Sequence, residues 1–446
     1  MRCPFKQHGK PGQAEWCSPR SSRGGAGLPL RHSEGSGQVQ DDPRCRVLSF
    51  SDSYPHGHNA IAVTSASPSN EPFNVLIVGG GVAALEAALA LRDLGGTRIR
   101  TTMLARGPEF VYRPMTVREP FDYALAQRHP LERIARDIGV ELRIDSFKWL
   151  EAETRVVHTE AGEQLSYDAL LLALGARMHP RFKHVLTIDD KRIDQLLHGL
   201  IQDVEGGYVH SLAFIVPGRM GWPLPIYELA LMTAARAYDM NVELSITIAT
   251  PEDAPLAIFG AGASDAVRQL LEEQGISTIA SAYCEVPGPG CVAINPGSRE
   301  LHVDRIVAMP ELHGPSVPGV PLGSPGGFIP VDARCKVAGV ERVYAAGDAT
   351  DFAIKHGGIA AQQADVAAQA IAALAGLAGE PEPFRPDIHG ILLTGGKPLY
   401  LSAHVTGGHG SSSEITEAPT WSPATKIAAK YLAPYLEARE RAASSG

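Results

Sequence analysis

Between Val75 and Glu86 the chain reads Val-Leu-Ile-Val-Gly-Gly-Gly-Val-Ala-Ala-Leu-Glu, followed by alanine-rich sequence to Leu94. An apolar β-branched run, a Gly-x-Gly-x-x-Ala turn from Gly79 to Ala84 and a helix form the unit from which parallel sheets are built. Such a unit leaves few folds open. Gly79 permits the tight turn, Gly81 lets backbone N–H groups approach a pyrophosphate, and Ala84 lets the helix pack close to the strand. Gly79, Gly81, Val82, Ala83 and Ala84 are therefore the first candidate ligand-binding residues. The second strand, Thr101–Arg106, ends without the carboxylate that would hold a ribose. Glu109 just beyond reads equally as a substitute or as a solvated loop residue.

A second glycine-bearing strand lies far along the chain: Val343-Tyr344-Ala345-Ala346-Gly347-Asp348-Ala349-Thr350, then Lys355-His356-Gly357-Gly358 and a helix from Ile359 to Ala375. Read alone, it is a buried strand with a turn aspartate. Together, the two segments resemble the two-segment flavoproteins of the pyridine nucleotide-disulfide oxidoreductase superfamily. That resemblance implies FAD, with Gly347 and Asp348 meeting the ribityl chain. Gly358 and Ile359 would then open a helix whose positive end faces the pyrimidine edge of the ring.

Composition sets bounds on the rest. At 446 residues, 44% hydrophobic and 20% charged, the chain has room for two or three globular domains. A net charge of −9 argues against a nucleic-acid partner. The six cysteines, at 3, 17, 45, 284, 291 and 335, show neither a disulfide framework nor paired metal-ligand spacing, so no metal site is expected. No window approaches 18 consecutive apolar residues, and the start lacks a secretory apolar stretch, so a reducing cytoplasm is the expected location.

Residues 1–72 are rich in Gly, Ser, Pro, Arg and His without periodicity and read as a disordered extension, with a targeting arm and an upstream start both open. From there the pattern predicts strand 74–78, helix 82–94, strand 98–105, helix 130–138, strand 140–144 and a hairpin-like segment over 146–168. The apolar run Asp168–Ala176 resembles the strand and turn that close the first FAD half in this superfamily, with Leu174 in place of threonine and Gly175 at the turn. A second strand-turn-helix-strand unit spans Leu212–Ile248, helix 262–274 follows, and Asp304–Ala308 reads as a return to the flavin sheet. The fold class is α/β, with two Rossmann-like doubly wound domains and a C-terminal region. The expected boundaries are FAD-binding 73–185, second NAD(P)-binding-like domain 186–300, FAD-binding 301–384 and C-terminal region 385–446.

Over residues 73 to 436 the order resembles type II NADH dehydrogenases and sulfide:quinone oxidoreductases. Phe110-Val111-Tyr112-Arg113-Pro114 resembles their loop beside the isoalloxazine, which places Tyr112, Arg113 and Pro114 at the ring. Gly357–Ala364 resembles the helix start that carries a quinone-side Ala-Gln-x-Ala-x-Gln motif. Ala361, Gln362 and Ala364 fit it, whereas Val366 stands where the second glutamine belongs. These glutamines read also as polar residues of a helix start. Cys335 resembles the placement of one of two flavin-side cysteines, but the matching 219–223 turn holds none; Cys335 reads also as a small buried residue.

The second Rossmann-like turn departs further. After Leu212–Val216 the chain has Pro217-Gly218-Arg219-Met220-Gly221-Trp222-Pro223-Leu224-Pro225, where three prolines remove N–H donors and Trp222 fills space. Glu228 and Glu252 occupy the helix and strand-end positions of nicotinamide-binding relatives, and equally those of a helix start and a polar turn. Lys355 and His356 could supply a cation or proton near the ring, or be a solvated pair. His404 and His409 sit in a Gly/Ser-rich loop without an expected role. The tail Lys426–Leu436 pairs lysines with apolar and aromatic residues, as do interfacial helices and terminal helices packed on their own domain.

The expected function is an FAD-dependent oxidoreductase. Two electrons would pass from a small donor, sulfide or thiol or NAD(P)H, through the flavin to a quinone-like or other acceptor, with Cys335, Lys355 and His356 as candidate catalytic residues. Peripheral contact with the inner face of the membrane and a homodimer stay open. The alternatives are a type II NAD(P)H dehydrogenase, and a flavin-bound regulatory protein that uses the Trp222 turn as a partner surface.

Overall fold

The computed structural model describes residues 71–122, 125–189, 192–323, 326–406 and 409–444. The expected N-terminal extension, with Cys3, Cys17 and Cys45, lies outside them apart from its last two residues. The described residues hold seven α-helices: α1 (Val82–Gly95), α2 (Leu131–Ile138), α3 (Ile193–Glu205), α4 (Leu224–Asp239), α5 (Ala261–Glu273), α6 (Gly357–Leu374) and α7 (Leu432–Ser444).

Two parallel five-stranded sheets repeat one plan. In the first, the strands run in the order Val343–Ala345, Ala169–Leu172, Phe73–Val78, Ile99–Ala105 and Glu141–Ile144. Ala169–Leu172 is fully buried because the sheet is covered on both faces, which is why that run is apolar without alternation. One face carries α1, α2 and α6 in a shared apolar core. The other carries the three-stranded antiparallel sheet Phe147–Glu151, Val156–Thr159 and Gln164–Ser166, where a hairpin-like segment was expected. Alanines on α1 and α6 are buried against one another, so the two helices approach closely.

The second sheet runs Leu186–Thr187, Arg305–Ala308, Ser211–Ile215, Ser245–Ala249 and Ile276–Ile279. Here one expectation is corrected: the strand ending at Ala308 does not return to the flavin sheet. It pairs with the second domain's first strand, Leu212 opposite Arg305 through Ile215 opposite Ala308. The Asp304 carboxylate fixes this register by accepting from the N–H groups of His210 and Ser211 and from the Ser211 hydroxyl, each at 2.9 Å. The boundary therefore falls beyond Ala308 rather than at 300. Again one face of the sheet carries helices, and the other an antiparallel sheet: Tyr283–Gly288, Cys291–Asn295 and Arg299–His302.

The C-terminal region joins both bodies. Its antiparallel sheet, Asp387–Leu392, Leu399–Thr406 and His409–Thr416, shares a core with Leu256 and Phe259 of the second domain. Leu432 and Leu436 of α7 share the core of α1. No helix among the described residues is long and apolar enough to cross a membrane.

Candidate active site

The first glycine turn is built as its sequence demands. Gly79 has φ +143°, and a Cβ there would lie 2.2 Å from the Ala173 carbonyl oxygen. Only glycine fits that position. Among the described residues nothing lies within 4 Å of a Cβ position in front of Gly81, and α1 begins there with neither a side-chain cap nor an acid in its first turn. Gly347, at φ +77°, brings its turn against Ala83 and Ala360. Val82, Ala83 and Ala84 on α1, the Gly347-Asp348 turn, and Gly358 and Ile359 on α6 thus converge, with Gly175 just after the adjoining strand Ala169–Leu172.

The start of α6 also lacks a side-chain cap and a first-turn acid. Two helix N-termini with their positive ends uncompensated, and open space before Gly81, suit an anionic dinucleotide. The donor set fits FAD. Gln363 holds this arrangement: its buried Oε1 accepts the Gly347 N–H at 2.8 Å. Gln362 is engaged on both sides, donating to the Asp387 carbonyl at 2.6 Å and accepting the Asp387 N–H at 3.0 Å. The glutamines expected at a quinone therefore tie α6 to the flavin turn and to the C-terminal sheet.

The C-terminal segment packs on the Tyr112–Pro114 loop. Tyr112 accepts the Ile427 N–H at 3.0 Å, and burial pushes its phenol up to about 12. Pro114 accepts from Lys426 Nζ at 3.0 Å, while Arg113, exposed, accepts the Thr116 hydroxyl through its carbonyl at 2.8 Å. A Cβ on Gly357 would meet Ile427 at 2.8 Å. Lys426 also donates to both oxygens of Glu228, at 2.6 and 2.8 Å, in a fully buried ion pair. Burial raises the Glu228 carboxyl and lowers the Lys426 amine, and each charge pulls the other back. Glu86 of α1, fully buried, accepts the N–H groups of Tyr431 and Leu432 at 3.0 and 2.6 Å and so anchors the start of α7.

The tail's apolar residues are consequently spent on its own fold, with Ile427, Leu432 and Leu436 buried. Sequence reading missed Lys426 and Glu86 as pivots. The one available signal was a glutamate inside the apolar helix α1 and a lysine heading the apolar run that leads into α7.

The second turn is filled. Trp222 is 9% exposed, its ring 4.2 Å from that of His356 and 5.5 Å from Phe259, so it offers no partner surface. Gly221 lies against the flavin-domain loop: its carbonyl accepts the Lys355 N–H at 3.3 Å, and a Cβ there would lie 2.7 Å from the Ala353 oxygen. Leu224, Ile226, Tyr227 and Glu228 bury the first turn of α4. Glu252 faces inward, accepting from Tyr227 at 2.6 Å and Thr250 at 2.9 Å, and burial raises its carboxyl to about 7. Glu228 and Glu252 are thus both engaged by protein.

His356 is not a solvated loop residue. It is buried at the N-cap of α6, and burial followed by the neighbouring His389 holds its imidazole down to about 3. Its Nδ1 has no hydrogen-bond partner among the described residues. Lys355 donates to the Thr350 carbonyl, lies 4.0 Å above the Phe328 ring, and is lowered to about 8 by burial, with Asp348 and Asp351 opposing. It lines a cleft of about 410 Å³ with Arg219, Met220, Phe328 and Asp351. Cys335 requires correction as a catalytic thiol: it is 1% exposed, and burial pushes it to about 12, so it stays a neutral core thiol. His404 is held by Asp387 at 2.5 Å, and the side chain of His409 lies outside the described residues.

Residues 73–196 match the family model of the pyridine nucleotide-disulphide oxidoreductases. The chain is similar in structure to the sulfide:quinone oxidoreductase of the hyperthermophilic bacterium Aquifex aeolicus, at 18% identity and TM-score 0.69, covering 77% of this chain and 87% of that one. A ferredoxin reductase from Rhodopseudomonas palustris follows at 20% identity and TM-score 0.56, covering 75% and 83%. An NAD-dependent persulfide reductase from A. fulgidus is similar at 18% identity and TM-score 0.55, covering 76% and 65%. These likenesses show the fold. A search of curated proteins finds no match. With the matched domain and the two-segment site, they define the class: a flavoprotein oxidoreductase that uses FAD. More particularly, the segment that carries the first glycine turn, residues 73–196, is the one that matches the pyridine nucleotide-disulphide oxidoreductase model.

Proposed function

We propose that this oxidoreductase moves two electrons from a small donor other than a nicotinamide dinucleotide to a quinone-like acceptor. The observation that carries the reading is the filled second turn, where Trp222, Gly221 and the buried start of α4 occupy the place of a pyrophosphate. When bound, the flavin supplies the two-electron chemistry. Gly79, Gly81, Val82, Ala83 and Ala84 would hold the pyrophosphate and Asp348 the ribityl chain. Gly175, Gly347, Gly358 and Ile359 would frame the ring, with Arg113 and Pro114 beside it.

Lys355 supports entry of a small anionic donor through its cleft, since the charged amine attracts it and can hold a proton at Nζ. A cleft of about 420 Å³ beside α6, lined by Val366, Phe384, Trp421 and Pro423 with Arg385 and Lys430, suits a flat ring bearing carbonyl oxygens. Membrane contact, for a lipid-borne quinone, would use a surface other than the tail.

The test is an anaerobic titration of the yellow protein with NADH, NADPH and sulfide in turn, followed by reoxidation with a water-soluble benzoquinone. Bleaching by sulfide and fast recovery with the quinone is the expected result. Fast stoichiometric bleaching by a nicotinamide would overturn it in favour of a type II dehydrogenase. A flavin that resists every donor yet is reduced by light would favour a binding protein without turnover.

A further inference from the structure

The antiparallel sheet of the second domain brings together three metal-ligating side chains that the spacing of cysteines in sequence conceals. Cys291 is the register partner of His302, and Ala293 that of Glu300. Side chains of directly paired residues share a face, and so do residues two apart on a strand. Cys291, Glu300 and His302 therefore project together, and their Sγ, carboxylate and imidazole atoms all lie within 4.8 Å of one another. Glu300 and His302 are already in contact at 3.6 Å. Ala293, the residue between them on this face, carries only a methyl group. Glu285, paired with Ala293, adds negative charge to the same face.

From this geometry we infer a binding site for a borderline divalent transition metal, of which zinc is the best match. One thiolate, one imidazole and one carboxylate are the donors zinc takes, whereas magnesium and calcium take oxygen alone. Tetrahedral zinc bonds put ligand atoms about 3.5 Å apart, a closure that rotation of two exposed side chains supplies. Three protein ligands leave the fourth position to water. Binding transfers the Cys291 thiol proton to solvent as the metal–sulfur bond forms, with no change of oxidation state. Cys284, next to this strand, points the other way: it pairs with Ile294 and packs on the inner core.

The experiment uses the full flavoprotein, stripped of metal with a chelator and titrated with cobalt(II), whose tetrahedral bands fall to the red of the flavin absorption; zinc then displaces it. One equivalent of bands is expected, lost in Cys291→Ser and in His302→Ala and retained in Cys284→Ser, with zinc affinity falling at least tenfold in the first two. Unchanged flavin absorption and circular dichroism show that the variants fold. Absence of the bands at saturating cobalt would overturn the site, as would bands that survive Cys291→Ser.

Discussion

The molecule contains two strand-turn-helix units of one design, and they have opposite fates. At Gly79–Ala84 the turn is open, the helix N-terminus is uncompensated and the residues are as small as geometry allows. At Pro217–Pro225 the same place in the fold holds three prolines and a buried tryptophan, and the acids expected to hold a nucleotide are bonded to Lys426, Tyr227 and Thr250. A dinucleotide fold is therefore a scaffold, and whether it binds depends on a handful of backbone N–H groups left free at one turn.

The comparison breaks most completely at Gly79. Gly79→Val sets a side chain into the Ala173 carbonyl at a backbone angle it rarely adopts. The purified protein is expected to be colourless, its FAD content falling more than tenfold by absorbance, whereas Trp222→Phe in the other turn keeps full flavin. Next comes the link between the two units. Lys426→Met strands a buried Glu228, and a thermal or urea melt should show a loss of about 3–5 kcal/mol, much of it restored in the double variant with Glu228→Leu.

A smaller effect is pH-dependent. Because Glu252 is raised to about 7 in the fold, its contribution is full below the unfolded carboxyl value and is lost as pH rises through 7. Stability should fall by about 3 kcal/mol between pH 4.5 and 8 at this residue, and Glu252→Gln should flatten that slope in urea titrations. The smallest effect is expected at Cys335→Ser: flavin reduction by sulfide within about twofold of the parent, since a neutral buried thiol takes no part. A large loss would return the donor chemistry to that cysteine.

Much of the molecule was legible before any coordinates. The strands expected at 74–78, 98–105 and 140–144 lie within a residue or two of where the apolar runs put them, and Ala169–Leu172, covered on both faces, is apolar throughout. The strand Arg305–Ala308 joins the second sheet rather than the flavin sheet, because an apolar run says that it is buried, not which sheet accepts its hydrogen bonds. Asp304, through contacts 93 and 94 residues back along the chain, decides that. The same holds for Gln362 and Gln363, which look like polar helix-start residues until their partners are seen.

The sequence by itself determined that a flavin turn exists, since Gly79 and Gly347 occupy backbone conformations that only the local residue type permits. It determined also that the second turn has three fewer N–H donors, since proline has none. Tertiary structure alone decided what Trp222 packs against, how Lys426 spans from Glu228 to Pro114, why Cys335 is inert, and that Cys291 meets His302. Those outcomes depend on cross-strand register and on segments hundreds of residues apart. Conformational preference is a property of each residue, but burial and pairing belong to the packed chain.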